Sequence, residues 1–296
     1  MSMACYSSRY GQAKSGRYIQ EISRFFNRTG NRGVLLAVDI GNSFITIGLF
    51  SDAILRGRLK IPVRPRRPYR AYESEIKEFL LPFRQSPRRP KPLAGVALSS
   101  VVPELSGLIS KAVANLSNSD PLMITASMNT GLRFDLSKPF DVGTDRIANA
   151  VAAYNLLGSP VIAVDFGSAT TLSAVKDDTF IGGSILPGIS LMAEALHGGT
   201  ALLPPLDISP DRISGERRPS AVGKDTPSCM VSGIIYGTAG AVERLVTEME
   251  HEASCNFKVV ITGGNAGIMA RFLRRGFRME PDLTLSGLRL IYERNT

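Results

Sequence analysis

From Val34 onward the chain carries ordered runs of apolar and polar residues that the preceding segment lacks. VLLAVDIGNSFITIGLF, Val34 to Phe50, is a continuous apolar run, a polar turn and then an apolar/polar alternation. That pattern predicts strand, tight turn and second strand. AYESEIKEFL has helical spacing, and the prolines on both sides, Pro68 and Pro82, predict its bounds. GVALSSVVP, Gly95 to Pro103, predicts a strand running into a loop, and ELSGLISKAVANL an amphipathic helix after it, a β-then-α unit. VGTDRIANAVAAYNLLG, Val142 to Gly158, predicts a second amphipathic helix.

The pattern then begins again. VIAVDFGSATTLSAV, Val161 to Val175, repeats the design of Val34 to Phe50: apolar strand, Asp, apolar residue, Gly, a small polar cluster and a second strand. Asp39 and Asp165 stand 126 residues apart, close to a domain length, which predicts two similar halves. If the halves face each other, the two acidic turns line one cleft. Downstream, GGSILPG (Gly182 to Gly188) ends a strand and opens the helix LMAEALHGG. Gly198 to Ser220 reads as a mobile loop, and Ser228 to Glu252 as a long helix with Ile234, Val242, Leu245 and Val246 on its apolar face. KVVITGGNAGIM closes the series as strand, Gly-Gly turn and helix. Backbone amides at such a turn approach a phosphate or adenine closely, because Gly has no Cβ. The organisation expected is a basic extension over 1–33 with a short helix at Tyr18 to Phe26, a first half over 34–155 and a second half over 156–296.

Composition adds exclusions. A chain of 296 residues, 44% hydrophobic and 21% charged, is globular rather than disordered or fibrous. The net charge of +9 is unevenly spread: residues 1–33 contribute +5 and the Pro/Arg-rich segment 56–91 contributes +9, so the remainder is −5. A mildly acidic body with two basic segments lacks the groove-filling helix or aromatic platform of nucleic-acid readers, so nucleic acid is not the expected partner. There is no apolar run of about 18 residues and no secretory core in 1–33, so a cytoplasmic location without membrane insertion is expected. Cys5, Cys229 and Cys255 are odd in number and far apart, against a disulfide framework or CxxC metal site. His197 and His251 have neither nucleophile nor metal-ligand spacing, and no G-x-S-x-G, P-loop or G-x-G-x-x-G occurs. Hydrolase triads, Walker NTPases and Rossmann dehydrogenases are thereby disfavoured.

The remaining chemistry points to phosphoryl transfer. Two acidic turns of small residues allow N–H groups and hydroxyls to cradle a triphosphate while the aspartates hold the cations that neutralise it. Asp39, Gly41, Asn42 and Ser43 form one jaw; Asp165, Gly167, Ser168 and Thr170 form the other. In the third cluster, Gly143, Thr144, Asp145 and Arg146 open a helix whose exposed N–H groups favour an anion. Asp145 has two readings, a helix N-cap or a general base for a substrate hydroxyl. Arg146 suits a carboxylate or phosphate.

The ordered motifs DIGNS, SSVVP, DVGTDRIANAVAA, DFGSATT, GGSILPG, TALLP, GKDT, ITGG and PDLTLSGL resemble type III pantothenate kinase over Val34 to Arg294. The resemblance implies an α/β fold of the acetate kinase, sugar kinase, Hsp70 and actin superfamily, with two duplicated ribonuclease-H-like (actin-like ATPase) halves and a central interdomain cleft. It implies ATP-dependent phosphorylation of the pantothenate 4′-hydroxyl, the first step of coenzyme A biosynthesis, by a homodimer using Mg²⁺ and a monovalent cation, K⁺ or NH₄⁺. Asp145 matches the family's proton acceptor. Asp39, Ile40, Gly41, Asn42, Ser43, Phe44, Ile45 and Thr46 match its ATP phosphate loop, with Ser168 a second ATP contact and Asp39 a candidate Mg²⁺ ligand. Asp165 matches the monovalent-cation position. Gly143, Thr144, Asp145 and Arg146 match the pantothenate-binding run, and Thr226 in GKDT a threonine reaching substrate across the dimer interface. Ser43 and Ser168 stand where threonine is usual, keeping the hydroxyl. Phe134 stands where the family carries a pantothenate-contacting tyrosine, so a weaker hold on that substrate is expected. A related superfamily kinase for another small hydroxylated substrate, and a non-enzymatic regulator on the same fold, are the alternatives.

Overall fold

A computed structural model describes residues 33–84, 93–208 and 218–296. The expected helix at Tyr18 to Phe26, with nearly all of the basic extension, lies outside the described residues, as do the end of the 56–91 segment and the middle of the Gly198 to Ser220 loop. The chain divides into two compact units between Met123 and Ile124.

In the first unit, β1 (Val34–Ile40), β2 (Phe44–Ser51) and β3 (Ile54–Pro62) form an antiparallel meander. After α1 (Tyr69–Arg84), β4 (Leu93–Ser100) returns parallel to β1, and after α2 (Pro103–Ser117), β5 (Leu122–Met123) joins parallel to β4. The strand order is β3-β2-β1-β4-β5. β1 reads as an unbroken apolar run because it is central, with Leu36, Ala37, Val38 and Ile40 fully enclosed. Strand β3 was not expected; its sequence ILRGRLKIP hid it among the basic residues. It is an edge strand, and Arg56, Arg58 and Lys60 suit an edge that must not pair further. Helix α1 also runs on through Pro82 rather than stopping before it. Proline there removes one N–H bond near a helix end, where few backbone bonds remain to be lost.

The second unit opens with β6 (Arg133–Phe134), a 3₁₀ turn at Pro139–Asp141 and α3 (Thr144–Leu157). Strands β7 (Val161–Phe166), β8 (Ala169–Lys176) and β9 (Thr179–Pro187) repeat the antiparallel meander. Helices α4 (Ile189–Gly198) and α5 (Thr226–Ala253) precede β10 (Lys258–Thr262), α6 (Ala266–Met269), β11 (Arg278–Met279) and α7 (Leu283–Asn295). The order is β11-β10-β7-β8-β9-β6, with β10 parallel to β7 and β11 parallel to β10. With β6 set aside as an added edge strand, the order of meander and parallel returns is that of the first unit. This is the ribonuclease-H-like arrangement present twice, as the repeat predicted.

Each unit has its own core. Leu36, Ile47, Tyr72, Ile76 and Ile109 belong to the first, and Val164, Phe166, Leu172, Ile235, Val242 and Ile261 to the second. Enclosing each such side chain stabilises its unit by about 1.5–3 kcal/mol relative to exposure. The division falls earlier than the 155/156 boundary read from the repeat, because α3 packs on β7, β8 and α7. Its buried face is mostly alanine, Ala148, Ala150, Ala152 and Ala153, which admits a close neighbour. Gly287 on α7 meets it backbone to backbone: a Cβ there would lie 2.0 Å from the Ala148 carbonyl oxygen. Helix α5 begins at Thr226, two residues before the expected Ser228. The Asp225 side chain accepts the Ser228 N–H at 2.8 Å, and the Ser228 hydroxyl accepts the Asp225 N–H, a reciprocal cap.

Candidate active site

In the second unit three small-residue turns converge where β7 ends. Gly167 N–H donates to the Ala169 carbonyl at 3.1 Å and closes the Asp165 turn. Gly188 N–H, from the turn after β9, donates to the Ser168 carbonyl at 3.1 Å, and Asn265 N–H, from the turn after β10, donates to the Phe166 carbonyl at 3.0 Å. Thr262 pairs with Asp165 in the parallel register of β10 and β7, so the ITGG turn abuts the acidic turn. Gly263 has φ +95°, and a Cβ on it would stand 2.3 Å from Asp165 Oδ1. Only glycine satisfies both conditions. A Cβ on Gly188 would lie 2.4 Å from the Gly167 carbonyl. These glycines serve the close approach of the two turns to the acidic turn.

Helix α3 brings the third cluster to the same place. Its N-cap is Gly143, which offers no side chain, so Asp145 is the second helical residue and the N-cap reading does not hold. Asp145 Oδ1 accepts the Arg146 N–H at 2.8 Å. Arg146 is fixed by β8: Nε donates to Ser173 Oγ and Nη2 to the Leu172 carbonyl, each at 3.2 Å, while its guanidinium carbon lies 5.8 Å from the centroid of the Phe180 ring. One turn further on, Asn149 is buried, and its Nδ2 donates to Asp165 Oδ2 at 3.0 Å. Thr284 Oγ1, from α7, donates to Asn149 Oδ1 at 2.8 Å.

Burial sets the charges of this cluster. It pushes the Asp145 carboxyl above the ordinary aspartate range, against the Arg146 N–H and guanidinium, which pull it down. Asp165 is pushed up to about 6, first by burial and then by the negative charge of Asp145, with the Asn149 hydrogen bond opposing both. Burial likewise lowers Arg146, and Asp145 restores part of that loss. Two carboxylates and one arginine with shifted titration in one cluster make it the candidate reaction site of this unit.

Other expected residues sit nearby or elsewhere. Phe134, on β6, packs its ring 5.9 Å from that of Phe180, the same ring that underlies Arg146. Thr226 is exposed at the first position of α5 and, among the described residues, lies outside the network joining α3, β7 and β8. Ser168 is exposed in the Asp165 turn.

In the first unit, Asp39 lies at the end of β1, paired across to Thr46 on β2 and Ser99 on β4. The turn is tight: Gly41 N–H donates to the Phe44 carbonyl at 3.0 Å, leaving Asn42 and Ser43 exposed at the tip. Ile40 and Ile45 are buried beneath it, so within this run they anchor the turn. Phe44 is partly exposed, with Lys60 Nζ 4.0 Å from its ring centroid. No helix among the described residues is long and apolar enough to cross a membrane.

Asn149, Thr284 and Lys60 had no assigned role in the sequence reading. The first two lay inside quoted motifs, DRIANA and PDLTLSGL, and a polar residue on an apolar helix face was the available signal; Lys60 was masked by the surrounding arginines.

A family model described as type III pantothenate kinase matches residues 35–248. A type III pantothenate kinase of Moorella thermoacetica is 36% identical over 89% of this chain and 100% of its own length. Another, from a Roseiflexus species, is 38% identical over 88% of this chain and 99% of its own. Among solved structures, the ethanolamine utilization protein EutJ from Carboxydothermus hydrogenoformans superposes with a TM-score of 0.53 at 15% identity, covering 92% of this chain and 99% of that one, a likeness of fold alone. With near-complete coverage of both relatives and all three acidic motifs inside the matched region, the chain belongs to the type III pantothenate kinase family.

Proposed function

We propose that this chain transfers the γ-phosphoryl group of ATP to the 4′-hydroxyl of pantothenate, with Asp145 as the proton acceptor. The observation that carries the reading is the pairing of Asp145 with Arg146 at the head of α3. One carboxylate oxygen is engaged by the Arg146 N–H, and burial raises the basicity of the group. A general base gains efficiency as its pKa rises toward the working pH. The hydroxyl oxygen bonds to the γ-phosphorus, the bond to the ADP oxygen breaks, and the hydroxyl proton passes to Asp145.

Arg146 uses two of its five N–H groups on β8, so three remain for the carboxylate end of the substrate. Gly143 and Thr144 place the positive end of the α3 dipole on the side of that substrate. Phe134 closes the aromatic wall beside Phe180 but contributes no hydroxyl.

The Asp39 to Thr46 turn and Ser168 are assigned to the ATP phosphates. Mg²⁺ fits as an ion that arrives with the nucleotide: among the described residues no cluster of three or more His, Cys, Asp or Glu would hold a metal alone, and a single carboxylate such as Asp39 suits a phosphate-borne Mg²⁺. Asp165 is assigned to a monovalent cation: a carboxylate with one oxygen held by Asn149 has its other oxygen, Oδ1, left to face a cation beside the close-packed glycines 167 and 263. When bound, these ions neutralise phosphate charge. Thr226, exposed at the head of α5, is assigned to the substrate of a partner chain in a homodimer, and the reaction to the cytoplasm.

The test is release of ADP with pantothenate as acceptor, with and without K⁺. Pantothenate-dependent ADP release that K⁺ stimulates supports the reading. A protein that ignores millimolar pantothenate yet turns over ATP with another hydroxy acid would make it a different kinase of the same fold.

A further inference from the structure

We propose that Asn149 and Thr284 are positioning residues that orient Asp165 for its cation, so that the C-terminal helix α7 supports the cation site from behind. The inference rests on the assignment of Asp165 to a monovalent cation. An ionised carboxylate only accepts hydrogen bonds, so the amide nitrogen of Asn149, not its oxygen, must face Asp165. That leaves the amide oxygen pointing the other way, where Thr284 Oγ1 donates to it at 2.8 Å. Thr284 thus fixes the amide orientation, and the amide fixes Oδ2 of Asp165 at 3.0 Å. Oδ1 is then held on the side of Gly167 and Gly263, where added Cβ atoms would come within 3.3 Å and 2.3 Å of it.

The relay has little freedom. Asn149 is 1% exposed, and α7 is seated against α3 by the contact at Gly287, three residues beyond Thr284. A buried amide with both ends engaged holds one rotamer, because losing either bond leaves a polar group unpaired. Partners behind an ion's ligand change ion affinity without touching the ion.

The test is titration of K⁺ against thermal stability, with Mg²⁺ and a non-hydrolysable ATP analogue present, together with the K⁺ dependence of turnover. Thr284→Val keeps the shape and removes the hydroxyl. It is expected to raise the K⁺ midpoint of both curves about tenfold, with kcat at saturating K⁺ within about threefold of wild type. Thr284→Ser is expected to restore the wild-type midpoint. A merely structural residue would lower the melting temperature without moving the K⁺ midpoint. Should Thr284→Val not fold, Thr284→Ala carries the same expectation. An unchanged midpoint in the valine variant, while Asp165→Asn abolishes the K⁺ response, overturns the positioning role and leaves the cation site standing. A K⁺ response that survives Asp165→Asn overturns the site itself and the relay with it.

Discussion

Replacing Asp145 by Asn separates catalysis from folding. The substitution keeps size and an oxygen that can accept the Arg146 N–H at the 2.8 Å position, but removes the basic lone pair and the charge. General bases contribute about two to four powers of ten, or ~3–5 kcal/mol of barrier at 1.36 kcal/mol per decade, so turnover should fall by that factor. Stability should move the other way. The folded-state pKa of Asp145 is raised, so its ionised form is disfavoured by folding at neutral pH, and a neutral amide escapes that cost. Its charge also raises Asp165, so the neighbour is relieved as well. The melting temperature should therefore stay level or rise while kcat collapses, as expected where a destabilising group is retained for function. Coupled ADP release gives kcat, and calorimetry gives the melting temperature. A variant that keeps more than half of the wild-type activity, or one that loses stability in step with activity, would reduce Asp145 to a structural residue of the first turn.

Four further outcomes are expected. Exchanging K⁺ for Na⁺ should slow turnover, and equal rates in K⁺, Na⁺ and NH₄⁺ would remove Asp165 from cation binding. In the absence of K⁺ and nucleotide, stability should fall as pH rises from about 4 to about 6 and then level off, because the folded state holds the Asp165 proton more tightly than the unfolded chain; urea melts of wild type and Asp165→Asn across that window should differ in slope, and identical slopes would refute the raised pKa. Phe134→Tyr, beside Phe180 and Arg146, should lower the pantothenate KM about fivefold, the worth of one ordinary hydrogen bond, with little change in kcat; an unchanged or higher KM means that β6 does not line the substrate. Mixing and reannealing Asp145→Asn with a Thr226→Val variant should yield activity above either parent if the site is shared between two chains, and no gain would place Thr226 outside it.

The acidic turns were legible because their physics is local. An apolar strand that must be central reads as a run without polar interruption, and the Asp-Gly turn after it reads as a break, so Val34 to Phe50 and Val161 to Val175 announced the first hairpin of each unit. Edge strand β3 was not legible, since an edge tolerates Arg56, Arg58 and Lys60 and so loses the apolar signature. The unit boundary was misplaced because a repeat marks where similar strands begin, while a compact unit is defined by packing: α3 precedes the second repeat in sequence yet packs on β7, β8 and α7. The Asn149 to Thr284 contact joins residues 135 positions apart, and no local pattern encodes it.

Duplication also accounts for where the chemistry concentrates. With the added edge strand β6 set aside, both sheets have the same strand order, and both end the first strand of the meander in Asp followed by an apolar residue and Gly. In open α/β sheets ligands collect beyond the carboxyl ends of parallel strands. In the second unit that end of β7 is enclosed by the turns after β9 and β10 and by the head of α3. The first unit has β4 parallel to β1, with Val101 N–H donating to the Ile40 carbonyl at 3.0 Å, but its turn tip stays exposed at Asn42 and Ser43. On the proposed reading, a turn with an exposed tip suits a solvated, highly charged ligand that comes and goes, as ATP must. On the same reading, a carboxyl that burial raises to about 6 suits a site where a partly dehydrated cation is handled. The two copies of one motif thus differ in what packs behind them, and on the proposed reading the first meets the nucleotide phosphates while the second, beside the head of α3, holds the cation.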